Sequence, residues 1–441
     1  MYTTLLKTPR LLTFLLSLGL ISSGANAAGF AIAENSASGI GSAFSTGGAA
    51  GEDATTVWAN PASMTLISDT QGVIAVHYIA PQADFSNQGS TLATGGAITG
   101  PNADGGASAI VPNLCFTTPI NEKLFAGISI NAPFGLGTVY DDDWVGRYHA
   151  VETHLTTVNI NPAIAYKLNE QWSFGAGVSL QYVDVTLTSA IDFGSLLGSP
   201  QAADGFGDLT ADNTDDLSFG WNIGALYEFN KDTRISAAYR SEIEHNVEGD
   251  ADFSVPTSAS IITSTGAFTD TGLTATVSVP ASASLSIFHA LDEKIDLMAD
   301  ITWTQWSTFE ELRIKYDNPS QPDSVTTEDY QDQFRIALGG RYHLDEKIIL
   351  RTGIAYDQKA VKSAELRTPR IPDNDRTWLS FGLGYAFSET IKADFGYTHL
   401  FIADTPINNT FESSQAALNH TLTGEYTSSV DILSAQLIWN F

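Results

Sequence analysis

The sequence predicts an all-β fold: a 14-stranded antiparallel transmembrane β-barrel with a small N-terminal hatch, or plug, inside its lumen. Three observations predict it. An export signal opens the chain, short turns of one type recur between segments of alternating apolarity, and a Gly/Ala/Ser-rich stretch without strand period precedes the first of those segments.

The export signal comes first. Lys7 and Arg10 supply a positive start, LLTFLLSLGLI (11–21) an apolar run, and Ala25, Asn26 and Ala27 the small residues of a cleavage site. This is a secretory signal peptide over residues 1–27, its apolar run too short to span a bilayer. The mature chain is expected to begin at Ala28. Cleavage removes two of 21 Lys and Arg and none of 50 Asp and Glu, so the net charge moves from −29 to 19 − 50 = −31. Such acidity argues against nucleic acid as a partner, which requires a basic face. The single cysteine, Cys115, excludes an internal disulfide or thiolate cluster. No cofactor or metal is expected, because acidic runs such as DDDW (141–144) lack EF-hand spacing and read as solvated loop.

The hatch is expected over residues 28–70. AGFAIAENSASGIGSAFSTGGAAGEDATTVWANPASM is rich in small residues yet carries Phe30, Phe44 and Trp58, which a free tail would rarely expose. Small residues allow close backbone packing and the apolar ones fill a lumen. Within it, TTVWANPASM (55–64) holds an Asn-Pro turn. Asn60 is expected to cap that turn, with Trp58 and Met64 packed in the lumen as scaffold and not as ligand contacts.

The barrel follows over residues 71–441. Its short turns read INEK (120–123), LNEQ (168–171), FNKDT (229–233), LDEK (291–294), LDEK (344–347) and FSET (387–390). Each joins two runs rich in Val, Ile, Phe, Tyr and Gly. Long polar stretches such as 189–217 and 403–425 lie between them. Short turns at one rim and long loops at the other are the asymmetry of an outer-membrane barrel. With both chain ends on the short-turn side, n strands need n/2 − 1 such turns; six turns therefore give 14 strands and seven loops. Helical spans are excluded by the lack of an 18-residue apolar run in the mature chain, whereas a barrel strand needs only ~9–11 residues, alternately apolar.

Strand alternation is clear in WSFGAGVSLQY (172–182), where Trp172, Phe174, Val178 and Leu180 share one face and Ser173, Gly175, Ser179 and Gln181 the other. RTWLSFGLGYAF (376–387) and the terminal LSAQLIWNF repeat the pattern. The apolar faces meet lipid and lipopolysaccharide, and Phe441 closes the last strand as a signal to the outer-membrane assembly machinery. The same phase turns Arg234, Arg240, Arg335, Arg341, Arg351 and Arg376 inward, together with Asp296, Asp300, Asp357 and Asp394. Cross-strand ion pairs that brace the wall account for this set; a cationic anchor for an anionic substrate is the functional alternative.

Several segments resemble the FadL family of outer-membrane transporters for long-chain fatty acids and other hydrophobic compounds. AGF (28–30), ENSASGIGSAFSTGGA and NPA (60–62) are similar to the family's hatch; NAPFGLGTVYDDDWVGRYHAVETHLTTVNINPAIAYKL (131–168), WTQWSTFEELRI (303–314) and PRIPDNDRTWLSFGLGY (369–385) to its barrel and loop segments. The resemblance implies passive, ligand-gated uptake. Loops collect a hydrophobic molecule, a pocket beside the hatch N-terminus holds it, and hatch movement frees it through a wall opening at a kinked third strand. It also implies a hatch scaffold of Ala28, Gly29, Trp58, Asn60, Pro61 and Ala62.

Residues fit each step. Pro133 offers no N–H to the ladder, and Gly135 and Gly137 are expected to weaken pairing further, so the stretch from Asn131 to Gly137 is the candidate kink and gate. Phe30 is placed to plug a pocket, where each buried CH₂ of a ligand contributes ~0.8 kcal/mol. For a carboxylate head, Arg376 is the first candidate, followed by Arg147 and Arg335. A channel for aromatic hydrocarbons of the same fold would need none of them. An enzyme is not expected: eight histidines show no Ser or Asp spacing that marks a lipid hydrolase. A plug argues against a hydrophilic porin, and long loops could also serve an adhesin or phage receptor. A monomer is expected.

Overall fold

Each of the six short turns is closed by the side chain of its own second residue. Asn121 accepts from the N–H groups of Lys123 and Leu124, Asn169 from Gln171 and Trp172, and Asn230 from Asp232. Asp292, Asp345 and Ser388 do the same two and three residues on. These short polar side chains mimic a backbone turn and so reverse the chain at low cost. Recurrence of one turn type at one rim thus has a local chemical cause.

The structure, a computed structural model, describes residues 29–214 and 217–441. The expected signal peptide (1–27) and Ala28 lie outside the described residues. The wall consists of β1 (Gln71–Asn87), β2 (Ala109–Pro119), β3 (Leu124–Asn131, resuming at Gly135–Val139), β4 (Glu152–Lys167), β5 (Trp172–Asp192), β6 (Ser218–Asn230) and β7 (Thr233–Arg240). It continues with β8 (Ser282–Ala290), β9 (Ile295–Thr304), β10 (Gln333–His343), β11 (Ile348–Asp357), β12 (Arg376–Ala386), β13 (Ile391–Ile402) and β14 (Thr421–Asn440). Each pairs antiparallel with the next, and β14 returns to β1 along Gln71–Asn87, closing 14 strands. Seven long connections lie at the rim opposite the capped turns. Strands Asp204–Asp212, Ile243–Ser254, Thr271–Val279 and Glu311–Tyr316 extend the wall beyond β5 to β9.

The alternation holds in three dimensions. Leu379, Phe381, Leu383 and Tyr385 of β12 are exposed, as lipid-facing residues of a barrel should be, whereas Ser380 between them is fully buried. Trp172, Phe174, Trp439 and Phe441 form part of an outward aromatic girdle at the short-turn rim. No helix among the described residues is long and apolar enough to cross a membrane.

Residues 29–70 fold inside the lumen as two short helices, α1 (Ala37–Ile40) and α2 (Thr56–Ala59), and a 3₁₀ turn at Pro61–Leu66; β1 begins directly after them. Small residues let this plug touch the wall backbone. A Cβ on Gly224 would stand 1.8 Å from the Asn60 side chain, and one on Gly175 would stand 2.4 Å from the Ala62 nitrogen. The Asn60 Oδ1 accepts from Ala62 N–H at 2.9 Å, while its Nδ2 donates to the carbonyls of Ala225 and Ala237 at 3.1 Å each. One side chain therefore caps the Asn-Pro turn and docks it on β6 and β7. Met64 is buried beside Val57, Phe125, Ala163 and Ala165.

The inward arginines brace both wall and plug. Arg341 pairs with Asp296 on the neighbouring strand β9, and Arg351 of β11 reaches past β12 to Asp394 of β13. Both also meet Glu52 of the hatch. Arg234 donates to the carbonyls of Ala49 and Ala50, Arg335 to Ala43, and Arg240 to Trp58. The hatch carbonyls are an acceptor set that strand phase alone does not reveal.

A candidate ligand path from outer groove to wall gap

The third strand is broken where Pro133 predicts it. Asn131 pairs with Asn159 of β4, Gly135 pairs with Thr156, and residues 132–134 bulge between them. On the other side, β2 pairs with β3 only from Leu114 to Pro119, so Ala109–Asn113 have no partner in β3. Gly135 and Gly137 correct one expectation. They do not weaken pairing but carry the resumed strand, opposite Thr156 and His154. Gly135 matters for a different reason: a Cβ there would lie 2.7 Å from Ile32 of the hatch. Asn131 is buried and accepts from Asn159 Nδ2 at 3.1 Å.

The hatch supplies what the wall lacks. Ile32 N–H donates to the Pro133 carbonyl at 2.8 Å, and Gly135 N–H donates to the Phe30 carbonyl at 2.9 Å. Ala31 and Phe134 thereby form an isolated antiparallel pair. Just before it, Gly29 has φ +59°, and a Cβ there would meet the Trp306 ring at 2.6 Å. Both the backbone conformation and the close approach require glycine.

Phe30 is 2% exposed. Its ring stacks edge-on against Trp306 (4.7 Å between centroids), Phe309 (5.6 Å) and Phe134 (6.0 Å). The cluster extends to Leu155, Val183, Tyr330, Val361 and Ile371. Edge-to-face pairs of this kind are worth ~0.5–1.5 kcal/mol each beyond burial.

Two cavities flank the cluster. The inner one, about 240 Å³, lies between hatch and wall and is lined by Ile32, Phe44, Trp58, Pro133, Phe134 and Trp378 among others. The outer one, about 140 Å³, lies among the long loops and is lined by Leu209, Phe253, Phe268, Leu312, Ile314 and Leu418 with Glu328 and Arg370 at its edge. Burial pushes the Glu328 carboxyl up to about 8 and His149, on the same cavity, down to about 3. Both losses of charge follow from withdrawal from water.

The three proposed basic anchors fall in different settings. Arg376 is 2% exposed, ion-paired with Asp373, and lines neither cavity. Arg147 is buried in the loops, where it binds Asp204 at 3.0 Å, the carbonyls of Thr99 and Trp144, and the Tyr148 hydroxyl; it too lines neither cavity. Arg335 lines the inner cavity and is paired with Asp300 at 3.2 Å. Trp58 and Pro61, expected as scaffold, also line it. Sequence reasoning passed over the aromatics Trp306, Phe309 and Tyr330, whose loop positions show no period. Among the described residues no cluster of His, Cys, Asp and Glu could hold a metal ion.

A closed 14-stranded barrel with a packed luminal plug, a broken wall strand and cavities of mixed lining on either side of one aromatic cluster defines an outer-membrane transport barrel. Comparison with known proteins agrees. The chain belongs to the outer membrane protein transport protein family (OMPP1/FadL/TodX), whose model matches residues 18–441. It is 35% identical over 403 residues to the long-chain fatty acid transport protein of Escherichia coli O6:H1, covering 87% of this chain and 89% of that one. Its fold is similar to a solved FadL homologue of Pseudomonas aeruginosa (TM-score 0.86, 25% identity, 94% of this chain and 100% of the other). It is also similar to the CymD monoaromatic hydrocarbon channel, in fold alone (TM-score 0.65, 18% identity, 94% and 98% covered). The chain is thus an outer-membrane protein of a transporter family.

Proposed function

We propose that this protein takes up long-chain fatty acids or similar hydrophobic molecules by passive, ligand-gated passage. A molecule collects in the outer groove, enters the aromatic cluster by displacing Phe30, reaches the inner cavity and leaves through the gap between β2 and β3 into the membrane. The observation that carries this reading is the backbone pairing of hatch residues 30–32 with the broken stretch 133–135. The segment that blocks the cluster is the same segment that covers the wall break, so one displacement serves both. Of the three arginines proposed as anchors, Arg335 is supported by its place on the cavity.

An experiment tests this directly. Cells lacking their own fatty-acid uptake protein and expressing this one should accumulate labelled oleate. Pro133→Val, which restores a ladder N–H at the break, should reduce accumulation several-fold while the barrel still assembles. Unchanged accumulation would remove the lateral route. A second reading, a channel for uncharged aromatic hydrocarbons, rests on the fold shared with CymD; toluene entry without oleate entry would favour it.

A further inference from the structure

One residue on the outer cavity holds a backbone conformation that its side chain disfavours. Phe268 lines that cavity with φ +51°, in the left-handed region. A non-glycine residue is uncommon there, and a bulky one is a genuine outlier. Among the described residues two aromatic side chains have a positive φ, Phe44 and Phe268. Phe44 lines the inner cavity and Phe268 the outer one. Strain of this kind persists only where the surrounding structure holds it, and it collects at ligand clamps.

The hold comes from the loop 305–332. Phe268 N–H donates to Oε1 of Gln321 at 2.9 Å. Asn318 Nδ2 donates to the Gly266 carbonyl at 2.7 Å and to the Thr269 hydroxyl at 3.0 Å. Asn318 N–H donates to the Thr271 hydroxyl at 3.0 Å, and Asp317 N–H to the Gly272 carbonyl at 2.9 Å. The backbone on both sides of Phe268 is therefore fixed by a neighbouring loop. So held, the ring packs edge-on against Phe193 (5.1 Å between centroids) and Phe253 (5.7 Å). Phe253 shares the cavity, whereas Phe193 is fully buried and lies off it.

We infer that Phe268 is the shape filter of the outer cavity, and that Gln321 is the positioning residue that holds its ring in place. The turn itself does not call for phenylalanine, since glycine or asparagine would meet its geometry with less strain. The cavity, about 140 Å³, is smaller than the ~300–1,000 Å³ of pockets that enclose a whole drug-sized molecule. It takes a slender segment of an unbranched chain. A branched chain would have to displace the ring, and packed interiors resist added volume. The inference rests on the proposed collection of hydrophobic molecules at the outer cavity and names the residue that selects their shape.

The test uses the full-length protein in cells lacking their own fatty-acid uptake protein. The probes are labelled palmitate and labelled phytanate, its methyl-branched counterpart of the same chain length. The unsubstituted protein should prefer palmitate. Phe268→Ala should raise phytanate uptake relative to palmitate about tenfold, the low end of what one misfit carbon costs in an apolar pocket. Gln321→Leu should move the ratio the same way with the ring still present. Gln321→Glu keeps an acceptor for the Phe268 N–H and should keep the preference; its loss would remove Gln321 from the role. An unchanged ratio in Phe268→Ala, or equal changes for both acids, would overturn the filter while leaving uptake intact. Entry of neither acid through the unsubstituted protein would instead overturn the uptake reading. Heat-modifiable gel mobility identifies a misassembled variant, and Phe268→Leu, which retains apolar bulk, then decides by the same ratio.

Discussion

The N–H of Gly135 donates to the carbonyl of Phe30 at 2.9 Å, so the first described turn of the hatch pairs with the wall at the site where the wall's own ladder fails. Ala31 and Phe134 face each other between two such bonds as a non-hydrogen-bonded pair. That geometry brings Cα atoms to ~4.5 Å, within disulfide range. With Cys115→Ser removing the native thiol, Ala31→Cys combined with Phe134→Cys should oxidise readily. Uptake should stop when the bond forms and return on reduction. Transport that ignores the bond would rule out movement of this segment.

Glu52 joins the plug to two wall arginines, Arg351 and Arg341, that also serve Asp394 and Asp296. Removing one partner of a buried ion pair typically costs ~3–5 kcal/mol, because it strands the other charge. Glu52→Gln should lower the temperature at which the barrel loses its compact gel mobility. Adding Arg351→Met should recover part of the loss. A double variant less stable than the sum of the singles would contradict the pairing.

Gly224 should be intolerant of even one methyl group, since its Cβ would overlap the Asn60 amide. Gly224→Ala is expected to unseat the Asn-Pro turn and raise ion conductance in planar bilayers. Gly72→Ala provides the control, because a Cβ there makes only an ordinary 3.6 Å contact with Phe441. Equal conductance in the two variants would detach the turn from plugging.

The outer groove should loosen as pH rises. Burial raises the Glu328 carboxyl from 4.5 to about 8, so the folded loop favours its protonated form. The penalty for packing this residue is absent below about pH 4.5, grows as pH climbs through the interval, and is complete above pH 8. Proteolysis of the loop 305–332 should therefore be faster at pH 9 than at pH 6, and Glu328→Gln should flatten the difference. A reversed or unchanged profile would show that the carboxyl ionises freely.

The barrel was legible because its signals are local. A turn cap needs one side chain and two N–H groups, and lipid on one face forces a period of two; both survive in a single sequence. Hatch residues were harder to place because their partners are non-local. Asn60 is recognisable as a turn residue, yet its bonds to Ala225 and Ala237 lie 165 and 177 residues away. The error over Gly135 and Gly137 has the same origin: glycine looks like a strand breaker until the Ile32 side chain is seen beside it. Strand phase groups Arg240 with the other inward, bracing arginines. That no described Asp or Glu lies within ion-pair distance of it is a property of its neighbours, invisible from its own position.

The joint between first and last strands runs the full length of β1, from Gln71 opposite Asn440 to Asn87 opposite Gly424. Two seams along, the joint between β2 and β3 has only six rungs, Leu114 to Pro119. The proposed lateral route would open this shorter joint and leave the polypeptide's two ends fastened. On that proposal the girth of the cylinder is insulated from the traffic across it, because the path and the closure lie at different seams.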